Sequence, residues 1–155
     1  MRESPYGSVI IAMVTPFTSA LDVDYGTSVR LAKSLVEQGA DGILVSGTTG
    51  ESPTLTAEEK IELVSEVRSA LPGNVMVWAG TSSYNTADSV RLTKLAESRG
   101  ADGILAVTPY YNKPSQEGLF RHFSAILDAV DIPMVLYNVP GRTVTNMLPA
   151  TVARL

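Results

Sequence analysis

The hexapeptide Gly39-Ala40-Asp41-Gly42-Ile43-Leu44 recurs unchanged as Gly100-Ala101-Asp102-Gly103-Ile104-Leu105, and the residues that follow the two copies differ completely. In each copy a helical pattern ends at the glycine, a tight turn follows and an apolar strand begins. The shared residues therefore build the start of two strands in a repeated βα scaffold. Polar, hydroxyl-rich and glycine-rich chemistry gathers instead where the strands end. It reads Val45-Ser46-Gly47-Thr48-Thr49-Gly50-Glu51 after one copy and Ala106-Val107-Thr108-Pro109-Tyr110-Tyr111-Asn112 after the other.

Working outward, five short apolar runs recur at intervals of roughly 30 residues, the length of one βα unit. They are Val9 to Val14, Ile43 to Ser46, Val75 to Ala79, Ile104 to Val107 and Met134 to Asn138. Each is apolar throughout, where a one-sided antiparallel strand would alternate, which predicts a parallel sheet covered on both faces. Helical patterns fill the intervals. The first starts after Asp24, buries Val29, Ala32, Leu35 and Val36, and stops at Gly39. The second has Thr56 as N-cap with Glu59 three residues on, then an apolar stripe of Ile61, Val64, Val67 and Leu71 that ends before Pro72-Gly73. A third runs from Asn85-Thr86 to Gly100. A fourth starts at Ser115, uses Leu119, Phe120, Phe123, Ile126 and Val130, and breaks at Asp131-Ile132-Pro133. A fifth starts near Leu148-Pro149, proline suiting a first turn. No Ser/Gly linker, low-complexity stretch or charge block divides the chain, so residues 1–155 are expected to be part of a single domain.

With 155 residues, 45% hydrophobic and 18% charged, the chain has the apolar surface for one sizeable core. A net charge of -4 and 12 unclustered Lys+Arg argue against a nucleic-acid footprint and for small-molecule partners. The absence of cysteine excludes disulfides, thiolate catalysis and zinc-thiolate sites, and is compatible with a cytoplasmic address. Val9 to Val14 is too short for a membrane span and reads as a buried strand, not a signal peptide.

Strict β-α alternation leaves an open doubly wound sheet or part of an eight-stranded (β/α) barrel. No G-x-G-x-x-G fingerprint is present, and Gly47-Thr48-Thr49-Gly50-Glu51-Ser52 lacks the lysine of a phosphate-binding P-loop. Polar motifs ending the first, second, fourth and fifth strands suit a barrel, whose site collects at one rim. The expectation is an α/β fold, a partial TIM (β/α)8 barrel of the first five βα units, with parallel strands and no closure within this chain.

Three motifs carry a family resemblance: Gly47-Thr48-Thr49-Gly50-Glu51, Thr108-Pro109-Tyr110-Tyr111-Asn112-Lys113-Pro114-Ser115-Gln116-Glu117-Gly118, and Tyr137-Asn138-Val139-Pro140-Gly141-Arg142-Thr143. Together with Ala12-Met13-Val14-Thr15-Pro16-Phe17 they resemble the dihydrodipicolinate synthase family of pyruvate-dependent aldolases and lyases, which includes N-acetylneuraminate lyase. The similarity runs from about Gly7 to Leu155. It implies a cytoplasmic lyase, a homo-oligomer (dimer or tetramer) without cofactor or metal. Its reaction joins pyruvate to L-aspartate 4-semialdehyde through a lysine Schiff base, in lysine and diaminopimelate biosynthesis.

The residue types fit such chemistry. Pyruvate must be held by its carboxylate, turned into an enamine and supplied with protons, which calls for backbone N–H groups, hydroxyl relays and an activated amine. Glycines around Thr48 and Thr49, Gly47 among them, let backbone N–H groups approach a carboxylate, although a plain glycine turn has the same composition. By resemblance Thr49 touches the pyruvate carboxylate and Thr48 links two tyrosines. Tyr137 donates and accepts protons within that relay, and Tyr111 comes from a neighbouring subunit. Tyrosines at such places also serve as rim packing or interface plugs. Arg142 offers a rigid fork to a second carboxylate, that of aspartate semialdehyde. A sialic-acid lyase would instead show a serine at the Thr48 position and no such arginine turn. A lysine feedback region is implied near Ser52, Pro53, Ala57, Lys60, Tyr84, Asp88 and Tyr110. Because the Lys60 ammonium would repel lysine, weak or absent feedback is expected.

Other residues read as structural. His122, the sole histidine, reads as a solvated helix residue, Asp41 and Asp102 as turn formers, and Trp78 as core. By resemblance the Schiff-base lysine stands on a sixth strand roughly ten residues beyond Leu155, so the chain is expected to be the N-terminal half of the enzyme and inactive alone. Lys33, Lys60 and Lys94 are expected on outer helices, far from the rim, and Lys113 in a solvated loop. Two other functions remain open. One is a related aldolase acting on N-acetylneuraminate or a 2-keto-3-deoxy sugar acid. The other is a non-catalytic half-barrel that associates with itself.

Overall fold

The computed structural model describes residues 4–155. Five strands, β1 (Ile10–Ala12), β2 (Gly42–Val45), β3 (Met76–Gly80), β4 (Gly103–Val107) and β5 (Met134–Tyr137), form one sheet in sequential order. Every pairing is parallel, with Ile43 opposite Val77, Trp78 opposite Gly103, and Val107 opposite Tyr137. The helices α1 (Tyr25–Glu37), α2 (Ala57–Ala70), α3 (Thr86–Ser98) and α4 (Gln116–Leu127) alternate with them, and two short helices, α5 (Pro140–Thr143) and α6 (Pro149–Val152), follow β5. The result is an open half-barrel of five βα units.

Each long helix starts on a side-chain cap. Asp24 accepts from Thr27 N, Thr56 and Glu59 form a reciprocal capping box, Asn85 accepts from Asp88 N, and Ser115 accepts from Gly118 N. Helices α1 and α3 end on Gly39 and Gly100, whose φ angles are 103° and 90°. After them Ala40 N donates to Leu35 O and Ala101 N to Ala96 O, the same closing bond twice.

The next residue of each repeat is an aspartate, and it is more than a turn former. Asp41 Oδ2 accepts from Ser8 N and Val9 N at 2.7 and 2.9 Å, and Asp102 Oδ2 accepts from Val77 N at 2.8 Å and from Arg68 Nη1 at 2.7 Å. Each carboxylate thus fastens the start of the preceding strand. The glycine that follows Asp102, Gly103, leaves room for the Trp78 ring, which is 3% exposed and packs edge-on to Tyr6.

Alternate strand residues pack beneath the helices. Ile43, Val45, Val77 and Ala79 join Ala32, Ile61, Val64, Val67, Leu92 and Ala96 in the main core. The alternate positions Leu44, Trp78, Leu105 and Val107 face the concave side. The edges of the sheet are less covered than continuous apolar runs predict. Val9 and Val14 are both 50% exposed and Ile10 is 41% exposed, so the first run is not a buried strand, and pairing there covers only Ile10–Ala12. Val135 on β5 is likewise exposed. Both strands have a neighbour on one side only, which leaves their concave-side residues open.

His122 also departs from expectation. It is buried, not solvated, because the stripe of α4 that meets the core runs Leu119, His122, Phe123, Ile126. Its Nδ1 lies 2.9 Å from Thr86 Oγ1, its ring meets Phe123 edge-on, and burial pushes its pKa down to about 4.

Candidate active site

The strand ends converge on a cavity of about 270 Å3. One wall is the segment after β2. There Ser46 turns into the left-handed region at φ 54°, and its carbonyl lies over Gly80 of β3, where a Cβ would collide with it. Gly47 O then accepts from both Gly50 N and Ser52 N, and Thr15 Oγ1 anchors Gly50 O at 2.7 Å. This folded turn consumes the N–H groups of Gly50, Glu51 and Ser52. It leaves those of Thr48 and Thr49, with both hydroxyls, unbonded to any described residue.

The opposite wall comes from β4 and β5. Leu105, Val107 and Tyr137 line it, followed by Val139, Arg142 and Thr143 from α5 and the residue before it. Pro140 and Gly141 begin this helix. Its position is set by a closed polar loop: Asn138 Oδ1 accepts from Met147 N at 3.0 Å, and Asn138 Nδ2 donates to Asn146 Oδ1 at 2.8 Å. The floor holds Ser82 and Ser83, and Lys60 and Tyr110 close the side. Burial raises the Tyr110 phenol pKa, with a smaller contribution from Tyr84, whose ring meets it edge-on at 5.3 Å.

No aspartate or glutamate lines the cavity, whereas Lys60 and Arg142 do. The arrangement therefore favours a small anion, offering hydroxyl and phenol groups beside two cations.

Of the site residues read from sequence, Gly47, Thr48, Tyr137 and Arg142 meet in this cavity. Thr49 and Tyr111 are not among its lining residues, and Tyr111 is 90% exposed at a φ of 69°. No hydrogen bond joins Thr48 to Tyr137 among the described residues, so the expected relay is not formed within this chain. The expectation for Lys60 is corrected. It lines the cavity because α2 begins at the strand-end rim and Lys60 lies in its first turns; burial lowers its pKa. Ser46, Ser82 and Ser83 were missed as site residues. Thr81-Ser82-Ser83 carries at the third strand's end the same hydroxyl-rich signal seen at the second.

The sequence matches the profile of the dihydrodipicolinate synthetase family over residues 5–155. The chain belongs to this family. A 4-hydroxy-tetrahydrodipicolinate synthase of Desulforamulus reducens is 55% identical over 155 residues, covering 100% of this chain and 52% of its own length. Among solved structures, the dihydrodipicolinate synthase of Cyanidioschyzon merolae with lysine bound superposes with a TM-score of 0.95 at 48% identity, over 98% of this chain and 52% of that one. The chloride-inhibited dihydrodipicolinate synthase of Acinetobacter baumannii complexed with pyruvate gives 0.91 at 43%, over 95% and 50%. The chain thus spans about half the length of the dihydrodipicolinate synthases it matches.

Proposed function

We propose that this chain forms the N-terminal part of a single (β/α)8-barrel domain of 4-hydroxy-tetrahydrodipicolinate synthase, a lyase condensing pyruvate with L-aspartate 4-semialdehyde in lysine and diaminopimelate biosynthesis. The observation that carries the reading is the meeting of Gly47, Thr48, Tyr137 and Arg142 in one carboxylate-free cavity at the strand-end rim. In this role the Thr49 hydroxyl and the free N–H groups of Thr48 and Thr49 hold the pyruvate carboxylate, and the Thr48 hydroxyl links the tyrosines of the relay. Tyr137 passes protons to and from the reacting carbon and oxygen, and the Arg142 guanidinium takes the second carboxylate. The bonding capacity that Thr48 and Tyr137 leave unused is the capacity such a relay needs. Tyr111, exposed on its loop, is suited to complete the relay of a neighbouring subunit in a homo-oligomer.

The reacting amine is a separate part of the proposal. A lysine Schiff base requires an amine held against the bound carbonyl, and we assign that role to none of this chain's lysines; the resemblance puts it on a sixth strand. The reading includes a cytoplasmic location. Among the described residues no helix is long and apolar enough to cross a membrane. Arg142 favours the dicarboxylate-forming reaction over cleavage of sugar acids.

The test is incubation of the 155-residue chain with pyruvate, with and without borohydride. Saturable NMR shifts at the Thr48 and Thr49 amides without a covalent pyruvyl adduct by intact mass are expected. Absence of those shifts overturns the binding role, and an adduct overturns the assignment of the amine.

A further inference from the structure

Arg142 lines the cavity from the loop that follows β5. Its guanidinium has neither a hydrogen bond nor an ion pair with any described residue, so the backbone alone sets where it stands. That backbone passes through α5 and returns to the body of the fold at Met147, which is 4% exposed and packs with Ala106, Leu119 and Phe123. Gln116, the first residue of α4, bonds the chain on both sides of this methionine. Its Nε2 donates to Asn146 O at 2.8 Å, and its Oε1 accepts from Leu148 N at 3.1 Å and from the Thr151 hydroxyl. We propose that Gln116 is a positioning residue for Arg142, holding the far end of the loop so that the guanidinium faces the cavity. The proposal rests on the reading of Arg142 as the group that takes the second carboxylate.

The directions of the bonds carry this. Two donors facing the oxygen and one carbonyl facing the nitrogen fix the amide in a single orientation. Apolar packing at Met147 holds the chain down but is non-directional, whereas bonds on either side of it fix the way the loop points. Asn138 bonds Met147 N and Asn146 Oδ1, but it stands at the base of the same loop and closes it without tying it to another element. Gln116 supplies that tie, to α4. Within the loop, Thr143 Oγ1 donates to Val139 O at 3.2 Å and to Thr145 O at 2.9 Å, and Val144 is left-handed at φ 56°. A loop braced internally in this way moves as a unit, so its attachment decides where Arg142 stands. Gln116 is not among the residues lining the cavity, and its influence passes through the backbone.

The test is titration of the isotope-labelled 155-residue chain with pyruvate and then, once saturated, with succinate semialdehyde, whose carboxylate is of the kind Arg142 is read to take. Backbone amides report both affinities. In Gln116→Ala the semialdehyde affinity is expected to fall about tenfold, as when the loop holds Arg142 in place a tenth of the time, while pyruvate affinity at Thr48 and Thr49 stays within about twofold. Gln116→Glu keeps the acceptor for Leu148 N–H and the Thr151 hydroxyl but loses the donor to Asn146 O, and its affinity should lie between the two. A semialdehyde affinity that neither variant lowers, or a fall of equal size for both ligands, overturns the proposal. A parent affinity for semialdehyde that Arg142→Gln does not lower overturns the reading of Arg142, and the proposal with it, so the two failures are told apart. Well-dispersed spectra separate loss of binding from loss of fold, and Gln116→Glu decides the question should Gln116→Ala not fold.

Discussion

Asp102→Ala tests the claim that the repeated aspartate fastens a strand. The carboxylate holds two donors, Val77 N–H at 2.8 Å and Arg68 Nη1 at 2.7 Å. Arg68 is not stranded by its loss, because Nη1 also reaches Val75 O and Nη2 reaches Leu71 O and Pro72 O. The ion pair is partly solvated, with side-chain exposures of 17% for Arg68 and 34% for Asp102, so its share is discounted to about 1 kcal/mol. The Val77 N–H belongs to a residue with no exposed surface, and leaving it without an acceptor costs about 1–2 kcal/mol. The expected loss is therefore about 2–3 kcal/mol, read as a lower urea midpoint with unchanged slope. Asp102→Asn keeps an acceptor for Val77 N–H and should lose only the ion-pair share, about 1 kcal/mol. A loss below about 0.5 kcal/mol in Asp102→Ala, or equal losses in the two variants, would refute the reasoning.

His122 makes stability pH-dependent. Its folded pKa of about 4 lies below the ordinary 6.5, so its neutral form is favoured by folding. That contribution is complete above about pH 6.5 and is lost as pH falls from there toward 4, by at most roughly 3 kcal/mol. Urea melts across this range should show a shallower loss in His122→Gln than in the parent. Gly80→Ala should cost about 1–3 kcal/mol or displace the segment after β2, since its Cβ meets the Ser46 carbonyl; an unchanged melt with unshifted Thr48 and Thr49 amides would contradict the close approach. Tyr137→Phe should leave pyruvate binding to Thr48 and Thr49 within about twofold, because the phenol acts on the proton and not on the carboxylate. Calorimetric or NMR titration showing loss of binding would reassign the phenol to ligand holding.

The fold was largely legible because its signals are local. Thr56 with Glu59 and the two glycine-aspartate repeats specify caps and strand starts through bonds within a few residues or to the adjacent strand. Of the candidate site residues, those held by motifs at the strand ends, Gly47, Thr48, Tyr137 and Arg142, line one cavity, while Thr49 and Tyr111 do not. Misreadings came where burial depends on distant partners. The side of α4 that carries His122 is decided by α3, through Thr86, and one histidine among phenylalanines has no periodicity of its own. Lys60 was misplaced because a helix drawn from its apolar stripe has an inside and an outside but no ends. Its first turns lie on the rim, where an outer-helix lysine can still face the cavity. Val9 to Val14 shows the converse limit, since an apolar run does not reveal whether its strand has neighbours on both sides.

The backbone divides the two ends of the sheet in the same way as the sequence repeat. At the strand starts, the positive-φ positions before β2 and β4 are the glycines Gly39 and Gly100, which adopt that conformation at little cost. Among the described residues, the positive-φ residues other than glycine are Leu21, Ser46, Glu51, Tyr111, Lys113 and Val144, and each lies in a segment that follows a strand. Left-handed backbone at such residues costs on the order of 1 kcal/mol or more each. It persists where surrounding bonds impose it, as Thr15 does on the turn through Gly50 and as Asn138 does on the loop carrying Arg142. One end of the scaffold thus uses glycine turns and carboxylate clamps, which can be repeated unchanged, while the other holds strained loops, of whose left-handed residues Ser46 lines the cavity. A substitution that relieves strain at the rim, such as Ser46→Gly, is therefore expected to raise the urea midpoint while weakening pyruvate binding. One that gained stability and kept full affinity would show that the left-handed turn at Ser46 plays no part in shaping the site.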